Sequence, residues 1–480
     1  MDSGTTRWTP AQRWVVALTA TASFIVALDM LVVSTALSAI RADLGASLEQ
    51  LEWTVNAYTL TFAVLLMTGA ALGDRFGRRR MFAGGMALFA AASAACALAP
   101  DAGWLIVARA VQGAGAAVVM PLALTLLGGA FAPHARARAI GIFTAVVGAS
   151  VPLGPLVGGA VVEGISWSWI FWLNVPLALV LIPLALTRLD ESRGPETALD
   201  VPGLALVTGA GFGIVWGLVR GNAAGWGSLE VVATLALGAL LAVAFVVCEL
   251  RTREPMLPMS LFRVRPFSGG NAAFFFLWAS TFGAIFFFAQ FLQTSLGSTP
   301  LEAGLQLMPW GATTIVVPRI AGALIGRVGE RPFVVAGISL HGAAMAWLAL
   351  IAEPGLAYAE LVPAMVVSGA GIAMAIPAIQ SAVLGSVPPR AMGKAAGTLS
   401  SARQLGGAFG VAVLVAVFAG GGGSYASAET FSDGFGLALA AGAALALGGV
   451  GAGLALPGRR WASDVAAAPL PATADADACG

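Results

Sequence analysis

Residues 14–38 read WVVALTATASFIVALDMLVVSTALS, a run of 25 residues in which Asp29 is the only charged side chain. A helix that crosses a bilayer needs about 20 consecutive apolar residues, so this run is long enough to span. The apolar residues are continuous and do not alternate, which favours a helix over a strand of a membrane barrel. The run therefore predicts a membrane-spanning helix with one carboxylate in its interior.

Runs of the same kind recur along the whole chain of 480 residues. The composition is 58% hydrophobic and 10% charged, with a mean hydropathy of +0.88, whereas soluble domains carry roughly a quarter of charged residues. This excludes a globular cytoplasmic enzyme and predicts an all-α polytopic membrane protein of about fourteen helices. The expected spans are 14–38, 52–73, 81–99, 103–127, 138–162, 168–187, 202–220, 230–249, 267–293, 301–325, 333–351, 359–384, 395–419 and 433–456.

The basic residues predict the orientation of these helices. An even number of spans puts both termini on one side, and about twenty basic residues then fall in connections on that side, against Arg41 and Arg220 on the other. The positive-inside rule makes the richer side cytoplasmic. We therefore expect both termini in the cytoplasm of a bacterial cell, and a first span that is retained in the cytoplasmic membrane and not removed as a signal peptide.

An internal repeat predicts the domain organisation. Residues 70–79 read AALGDRFGRR and residues 322–331 read GALIGRVGER, which share Leu, Arg, Gly and Arg at matching offsets. The offset is two spans longer than a six-helix repeat requires. We expect a six-helix bundle at 1–190, two inserted helices with linkers at 191–260, a second bundle at 261–458 and a disordered cytoplasmic tail at 459–480. Parallel halves around a midplane cavity are typical of transporters.

Three further motifs occur in a fixed order along the first half. Residues 28–37 read LDMLVVSTAL, residues 109–115 read RAVQGAG and residues 154–159 read GPLVGG. Together with Asn174-Val175-Pro176, this order and spacing resemble the major facilitator superfamily, specifically its fourteen-span drug:proton antiporter family. The resemblance implies a proton-coupled antiporter that exports hydrophobic or amphipathic drug-like compounds by alternating access. It also implies that Gly154, Pro155, Gly158 and Gly159 form an antiporter motif, which we expect to seal and hinge the interface between the halves.

Three polar residues are candidates for proton coupling: Asp29, Arg109 and Gln112. A lone charge inside a membrane helix is costly unless it is protonated, paired or in water. Arg109 lies about seven residues into its span, at a depth similar to that of Asp29, and Gln112 is one turn deeper on the same face. The resemblance implies that the Arg helps proton exchange. The alternatives are a structural ion pair and polar packing between helices.

A tight turn with several charges follows the second span. We interpret Asp74, Arg75, Gly77, Arg78 and Arg79 as a conformational latch, in which Asp74 accepts hydrogen bonds from the amino end of span 13 near Gly393. The alternative is that these charges only set the topology.

Polar groups among aromatic residues suit a large amphipathic ligand. The residues that we predict to line a substrate cavity on this basis are Trp53, Asn56, Tyr58, Gln290, Gln293, Trp310 and Arg319. Arg319 and Arg403 either extend to the membrane surface or face the cavity, where they would favour neutral or anionic ligands.

The remaining patterns predict which partners are absent. The three cysteines have no metal-binding spacing, so we expect no metal and no cofactor. His134 and His341 are isolated, which argues against the remote alternative of a polytopic membrane transferase. A second transport alternative is a dedicated exporter of one endogenous secondary metabolite or siderophore. The expected partners are an amphipathic small molecule, protons and membrane lipid, with no nucleic acid, and the expected state is a monomer.

Overall fold

The computed structural model describes residues 8–131, 133–194, 200–252, 255, 257, 259–387 and 392–457, apart from some side chains within 133–137 and 315–327. Regular structure in these ranges is helical, as the sequence predicts. The predicted tail at 459–480 lies outside the described residues.

The helices fall into three consecutive groups. The first group is α1 (Pro10–Leu44), α2 (Leu48–Phe76), α3 (Arg78–Ala97), α4 (Ala102–Ala130), α5 (Pro133–Gly148), α6 (Ser150–Gly164), α7 (Trp169–Trp172) and α8 (Asn174–Arg188). The second is α9 (Val201–Ala224) and α10 (Leu229–Arg251). A 3-10 helix at Met259–Arg263 leads to the third, α11 (Arg265–Thr294), α12 (Pro300–Gln306), α13 (Met308–Val328), α14 (Glu330–Ile351), α15 (Tyr358–Gly385), α16 (Met392–Gly420) and α17 (Ala428–Leu454).

Most of these helices are long and apolar enough to cross a membrane. Thirteen helices or successive helix pairs within the described residues meet that condition. The run predicted at 301–325 corresponds to the helix pair α12 and α13, which is not among these thirteen. The all-α polytopic fold is confirmed, with a span count close to fourteen.

Three of the predicted single helices are each a pair of consecutive helices. The run at 138–162 breaks between Gly148 and Ser150, the run at 168–187 breaks at Leu173, and the run at 301–325 breaks at Leu307. Pro152, Pro176 and Pro309 stand in the first turn of the helix that follows each break. Proline is tolerated there because its missing N–H has no partner in the first turn, but it prevents the preceding helix from continuing.

Contacts near the helix ends define two ends of the bundle. The rings of Trp8 and Phe131 lie 5.3 Å apart, and the Arg188 guanidinium lies 5.4 Å from the ring of Trp14. Gly269 lies against the backbone of Ala452, which joins the start of α11 to the end of α17. We call the end with these contacts, where the described chain begins and finishes, the terminal end, and the opposite end the distal end.

The two halves are in contact at the distal end. The Leu301 N–H donates to a Glu163 carboxylate oxygen at 3.0 Å, and Gln293 Nε2 donates to the Thr35 carbonyl at 3.2 Å. The guanidinium of Arg41 lies 4.2 Å from the ring of Tyr425. The distal end is therefore closed in this conformation.

The inserted hairpin of α9 and α10 covers the side of the seam between α2 and α16. Arg220 of α9 bridges Glu49 of α2 at 3.2 Å and Glu230 of α10 at 3.0 Å. Asn222 Nδ2 donates to the Ala416 carbonyl of α16 at 2.5 Å. Much of α10 is exposed, including Leu229 at 84%, as expected for a helix that faces lipid.

Close packing of α3 on α4 depends on a glycine, which gives a test of the fold. A Cβ on Gly115 would lie 2.7 Å from the Phe89 nitrogen, whereas a Cβ on Gly128 of the same helix meets open space. We expect Gly115→Ala to destabilise the protein by about 1–3 kcal/mol through overpacking. Gly128→Ala should be neutral or up to about 1 kcal/mol stabilising, because alanine favours the helix. Thermal unfolding of the purified variants measures both, and Gly115→Ala as stable as wild type would contradict the packing.

Candidate functional site

Asp29 lies near the middle of α1, and its side chain is buried. Its Oδ2 accepts a hydrogen bond from the Arg109 guanidinium of α4 at 2.5 Å. Its Oδ1 accepts from Gln112 Nε2 at 2.8 Å and from Asn174 Nδ2 of α8 at 2.7 Å. Both carboxylate oxygens are thus satisfied without water.

The partners of Asp29 are themselves held in place. Arg109 also donates to Gln112 Oε1 at 2.7 Å and to the Thr54 carbonyl of α2 at 3.2 Å. Its guanidinium lies 4.2 Å from the ring of Tyr58, within the range of a cation–π contact. Arg109 therefore links α4 to α1 and α2, and Asp29 links α1 to α8.

Ser93 of α3 completes the network. Its hydroxyl accepts from Asn174 at 2.9 Å and from Gln112 at 3.2 Å, and it donates to the Phe171 carbonyl at 2.9 Å. Each polar atom in this chain of bonds meets a complementary partner. A satisfied network of this kind holds a single geometry in a low-dielectric interior.

The arrangement fits a charged carboxylate, because Asp29 accepts three hydrogen bonds and is required to donate none. A proton on Asp29 would remove the charge that offsets Arg109 and would convert an acceptor into a donor. Breaking one side of a buried ion pair costs about 3–5 kcal/mol, because the other charge stays uncompensated. The buried ion pair therefore depends on both partners keeping their charge.

The structure brings together the three residues that the sequence predicts for coupling, Asp29, Arg109 and Gln112. Two members of the network were not assigned a role from the sequence. The sequence could have indicated Asn174, because this Asn stands before Val175-Pro176 at the start of an apolar run. Nothing in the sequence distinguishes Ser93, which is one hydroxyl in an alanine-rich helix.

The turn predicted as a latch is bound to the end of its own half. Asp74 pairs with Arg78 at 2.8 Å, and Glu191 accepts from the backbone N–H groups of Arg79 at 3.0 Å and Arg80 at 3.3 Å. Glu191 thus caps the amino end of α3, where an anion is stabilising.

Two other members of this turn have local roles. Gly77 has φ of +106°, a conformation that favours glycine, and the Arg75 guanidinium lies 5.4 Å from the Phe76 ring. No hydrogen bond joins Asp74 to Gly393, both of which the structure describes. The latch function stays a prediction.

The glycines predicted as an antiporter motif lie in the contacts of α6. Gly154 packs on Leu31 and Gly158 on Val32 of α1, while Gly159 lies against the backbone of Pro300 at the start of α12. The Pro155 backbone lies in turn against Gly304 of α12. A side chain at these positions would push α6 away from α1 or from the second half.

The residues predicted to line a cavity lie in separate places. Trp53 packs on Trp216 of α9 with ring centroids 5.7 Å apart, and the Trp310 ring lies 5.5 Å from that of Phe288. Tyr58 belongs to the Arg109 site, Asn56 bonds to Glu52, Gln293 bonds to Thr35, and Gln290 accepts from Tyr425. The side chain of Arg319 lies outside the described residues. The structure does not bring this set together.

A second basic side chain lies between the halves. Arg403 of α16 is half-buried, and its guanidinium lies 5.1 Å from the ring of Trp278 of α11. Its Nε donates to Gln404 Oε1 at 3.2 Å, and Gln404 lies beside the sulfur of Met30 of α1. Within the described residues no acid pairs with Arg403, and Trp278 Nε1 is buried without a hydrogen-bond partner.

The comparison with protein families agrees with the fold and with the order of the motifs. The sequence profile of the Major Facilitator Superfamily matches residues 19–411. The chain belongs to this superfamily. The family predicted from the motifs is thereby confirmed.

Relatives of this superfamily member include antibiotic exporters of actinomycetes. The chain is 37% identical over 393 residues to the tetracenomycin C resistance and export protein of Streptomyces glaucescens. The aligned region covers 81% of the chain and 73% of that protein. The chain is 37% identical over 438 residues to the cephamycin export protein of Amycolatopsis lactamdurans, covering 90% of both. Among solved structures, a peptide transporter in complex with sulfate superposes with a TM-score of 0.69 at 16% identity, over 95% of the chain and 97% of that structure.

Membership of this superfamily settles the class of the protein. It is a multi-pass membrane transporter and not an enzyme, as the sequence predicts. The likeness to the peptide transporter, at its low identity, concerns the fold alone.

The network around Asp29 predicts strong coupling between its members. We expect Asn174→Ala to destabilise this transporter by about 1.5–3 kcal/mol, since it removes a hydrogen bond to a charged group. In a double-mutant cycle with Asp29→Asn, thermal unfolding should show a coupling of about 0.5–3 kcal/mol. Thr187→Ala on the exposed side of α8 serves as the control and should leave stability unchanged. Strict additivity of Asn174→Ala and Asp29→Asn would contradict the network.

Proposed function

We propose that this transporter exports hydrophobic or amphipathic, antibiotic-like molecules in exchange for protons, with its terminal end in the cytoplasm. The single observation that carries the coupling is the buried pair of Asp29 and Arg109 at 2.5 Å. The export direction is supported by the relatives, two of which are export proteins. The orientation is supported by the excess of basic residues in connections of the terminal end.

The exchange follows from two states of the carboxylate. In the conformation closed at the distal end, Asp29 is charged and bound to Arg109, Gln112 and Asn174, so its proton has left towards the cytoplasm. In the outward-open conformation Asp29 takes up a proton from outside, and Arg109 loses its counter-charge and changes partners. Because the two states differ in the number of bound protons, a proton gradient drives the alternation between them.

The contact of α6 with α12 provides the closure that such an alternation requires. Gly159 and Gly304 let the two backbones meet at the distal end, and Gly154 and Gly158 seat α6 on α1. Since α1 carries Asp29, a movement of α6 reaches the coupling site through α1. We infer that this motif seals and hinges the interface and does not bind the substrate.

Removing the titratable group tests the coupling. We expect Asp29→Asn to lower pH-gradient-driven efflux to the level of vesicles without the transporter, because an amide cannot carry a proton. Asp43→Asn is the matched control on the same helix: Asp43 accepts from Trp167 at 2.7 Å, and an amide oxygen can still accept there. Accumulation of substrate in inverted vesicles, where export runs into the lumen, measures both variants with and without a protonophore. Gradient-driven efflux retained by Asp29→Asn would refute the proposal.

The substrate is proposed to bind beside Arg403, Trp278 and Met30, between the halves. In the part of the chain that the structure describes, the half-buried Arg403 has no acidic partner and the neighbouring indole N–H has no acceptor, which favours a neutral or anionic aromatic compound. A second candidate function is a dedicated exporter of one secondary metabolite. Its support is that two relatives are named for a single antibiotic each.

A substrate panel graded by charge tests this site and separates the two candidates. For carboxylate-bearing compounds we expect Arg403→Gln to raise KM about tenfold, the equivalent of 1.4 kcal/mol, with neutral compounds unchanged. Arg403→Lys should restore part of the difference, because it keeps the charge. An equal loss for all compounds would contradict recognition by charge, and export of only one compound would favour the dedicated exporter.

A further inference from the structure

The second turn of α2 carries a carboxylate that the Asp29 network does not use. Sequence reasoning placed Glu52 at the end of its span and assigned it no role, but the structure buries it completely. Asn56, one turn later, is also fully buried, and its Nδ2 donates to Glu52 Oε1 at 3.4 Å. Within the described residues, Glu52 Oε2 and Asn56 Oδ1 have no hydrogen-bond partner. The two side chains thus have two unsatisfied acceptors and no donor for them.

Within the described residues, no basic side chain forms an ion pair with Glu52. Glu49, one turn earlier on α2, has the same sign and binds Arg220. Arg13 lies near the terminal end of α1, away from Glu52, Asp43 of α1 accepts from Trp167, and Arg75 of α2 lies over the ring of Phe76. The other charged and titratable groups of α2 and of the helices that pack on it have other partners. The pairings are Asp29 with Arg109, Arg41 with Tyr425, Arg78 with Asp74, Arg79 and Arg80 with Glu191, Cys96 with Gln112, Tyr58 with the Val26 carbonyl, Arg220 with Glu49 and Glu230, Lys394 with the Pro255 carbonyl, and Arg403 with Gln404.

One proton on Glu52 resolves both problems. An uncompensated carboxylate in a dry interior costs several kcal/mol, and the neutral acid avoids this cost. The O–H of the acid is also the donor that the pair lacks, since Asn56 Oδ1 is an unoccupied acceptor. A buried polar pair that is fully satisfied only when protonated is a proton-binding site.

The position of the pair connects it to the closure of the distal end. Glu52 and Asn56 lie on the face of α2 that also carries Ala63 and Met67, because these positions fall within about 60° at 100° per residue. The Ala63 carbonyl accepts from Ser401 of α16 at 3.2 Å, and Met67 lies against Gly397. This face therefore belongs to the seam between the halves, with Glu52 towards the distal end.

We propose that Glu52 is a second proton-binding site, which must be protonated for the distal end to close. The gating role rests on the alternating access proposed above. When the distal end opens, Glu52 meets water and releases its proton to that side, because hydration stabilises the charged carboxylate. The closed state therefore binds one more proton at this site, so closure is favoured as the pH on the distal side falls. The proton returns to the side from which it came and adds nothing to the number that Asp29 carries.

Infrared spectroscopy tests the protonation directly. In the full-length protein at neutral pH we expect a carboxylic-acid C=O band, which Glu52→Gln removes and Glu49→Gln leaves in place. Glu49 is the matched control because it lies on the same helix, one turn away, outside the buried pair. A spectrum in which Glu52→Gln removes no such band would overturn the proposal, whatever the variants do in transport.

The gate is tested by the distance between the halves at the distal end. The exposed residues Leu98 and Glu353 lie in distal connections of the two halves and accept a pair of spin labels after substitution by Cys. The three native cysteines are replaced, and Asp29→Asn removes the other proton site. We expect the closed-to-open ratio to fall by up to tenfold per pH unit as the pH rises, because one proton is linked to closure.

Two variants in this labelled background decide the outcome. Glu52→Gln should stay closed across the pH range, whereas Glu49→Gln should keep the pH response. A pH response that survives Glu52→Gln would overturn the gate. Failure of the proposed export function gives a different result. Export by the wild type would then not depend on the pH gradient, while the infrared band of Glu52 would still be present.

Discussion

The buried ion pair between Asp29 and Arg109 is the constraint on which the first half of this transporter depends. Two charges in an interior without water are tolerable only when each is fully matched, and the network of Gln112, Asn174 and Ser93 does this. Four helices must therefore keep their relative positions for the pair to exist. The same requirement makes the pair sensitive to a single proton, because neutralising Asp29 leaves Arg109 without a counter-charge.

The seam between the halves is built on a different principle. Here close backbone contacts, at Gly159 with Pro300 and at Gly304 with Pro155, depend on the absence of side chains. Polar side-chain contacts, such as Glu163 with Leu301, lie beside them. In lipid, where apolar side chains gain little by leaving the solvent, close backbone approach is a main source of helix association. Backbone contacts of this kind can separate and form again without leaving a buried charge unpaired, which suits a moving interface. The proposed proton site at Glu52 and Asn56 would add a titratable group to this seam.

Much of the fold and part of the site could be predicted from the sequence for physical reasons. Continuous apolar runs have one solution in a bilayer, and the rarity of charges within them singled out Asp29 and Arg109. The partners Ser93 and Asn174 were not assigned, because one hydroxyl or amide in a helix is common and only its neighbours give it a role. The aromatic and polar residues proposed for a cavity failed to converge for the same reason. Trp53 faces the inserted helix α9 and Gln293 faces α1, and nothing in their local sequence specifies those directions.

The sequence by itself determined that this chain spans a membrane many times and that it belongs to a transporter superfamily. It also indicated which carboxylate lies deepest, because hydropathy and motif order are local properties of the chain. Only the tertiary structure decided how each charge is compensated. Asp29 and Glu52 are both acids in apolar helices, yet one meets a guanidinium and two amides and the other meets a single amide. That difference comes from which helices lie side by side, and it separates an acid with a paired charge from one that has no basic partner among the described residues.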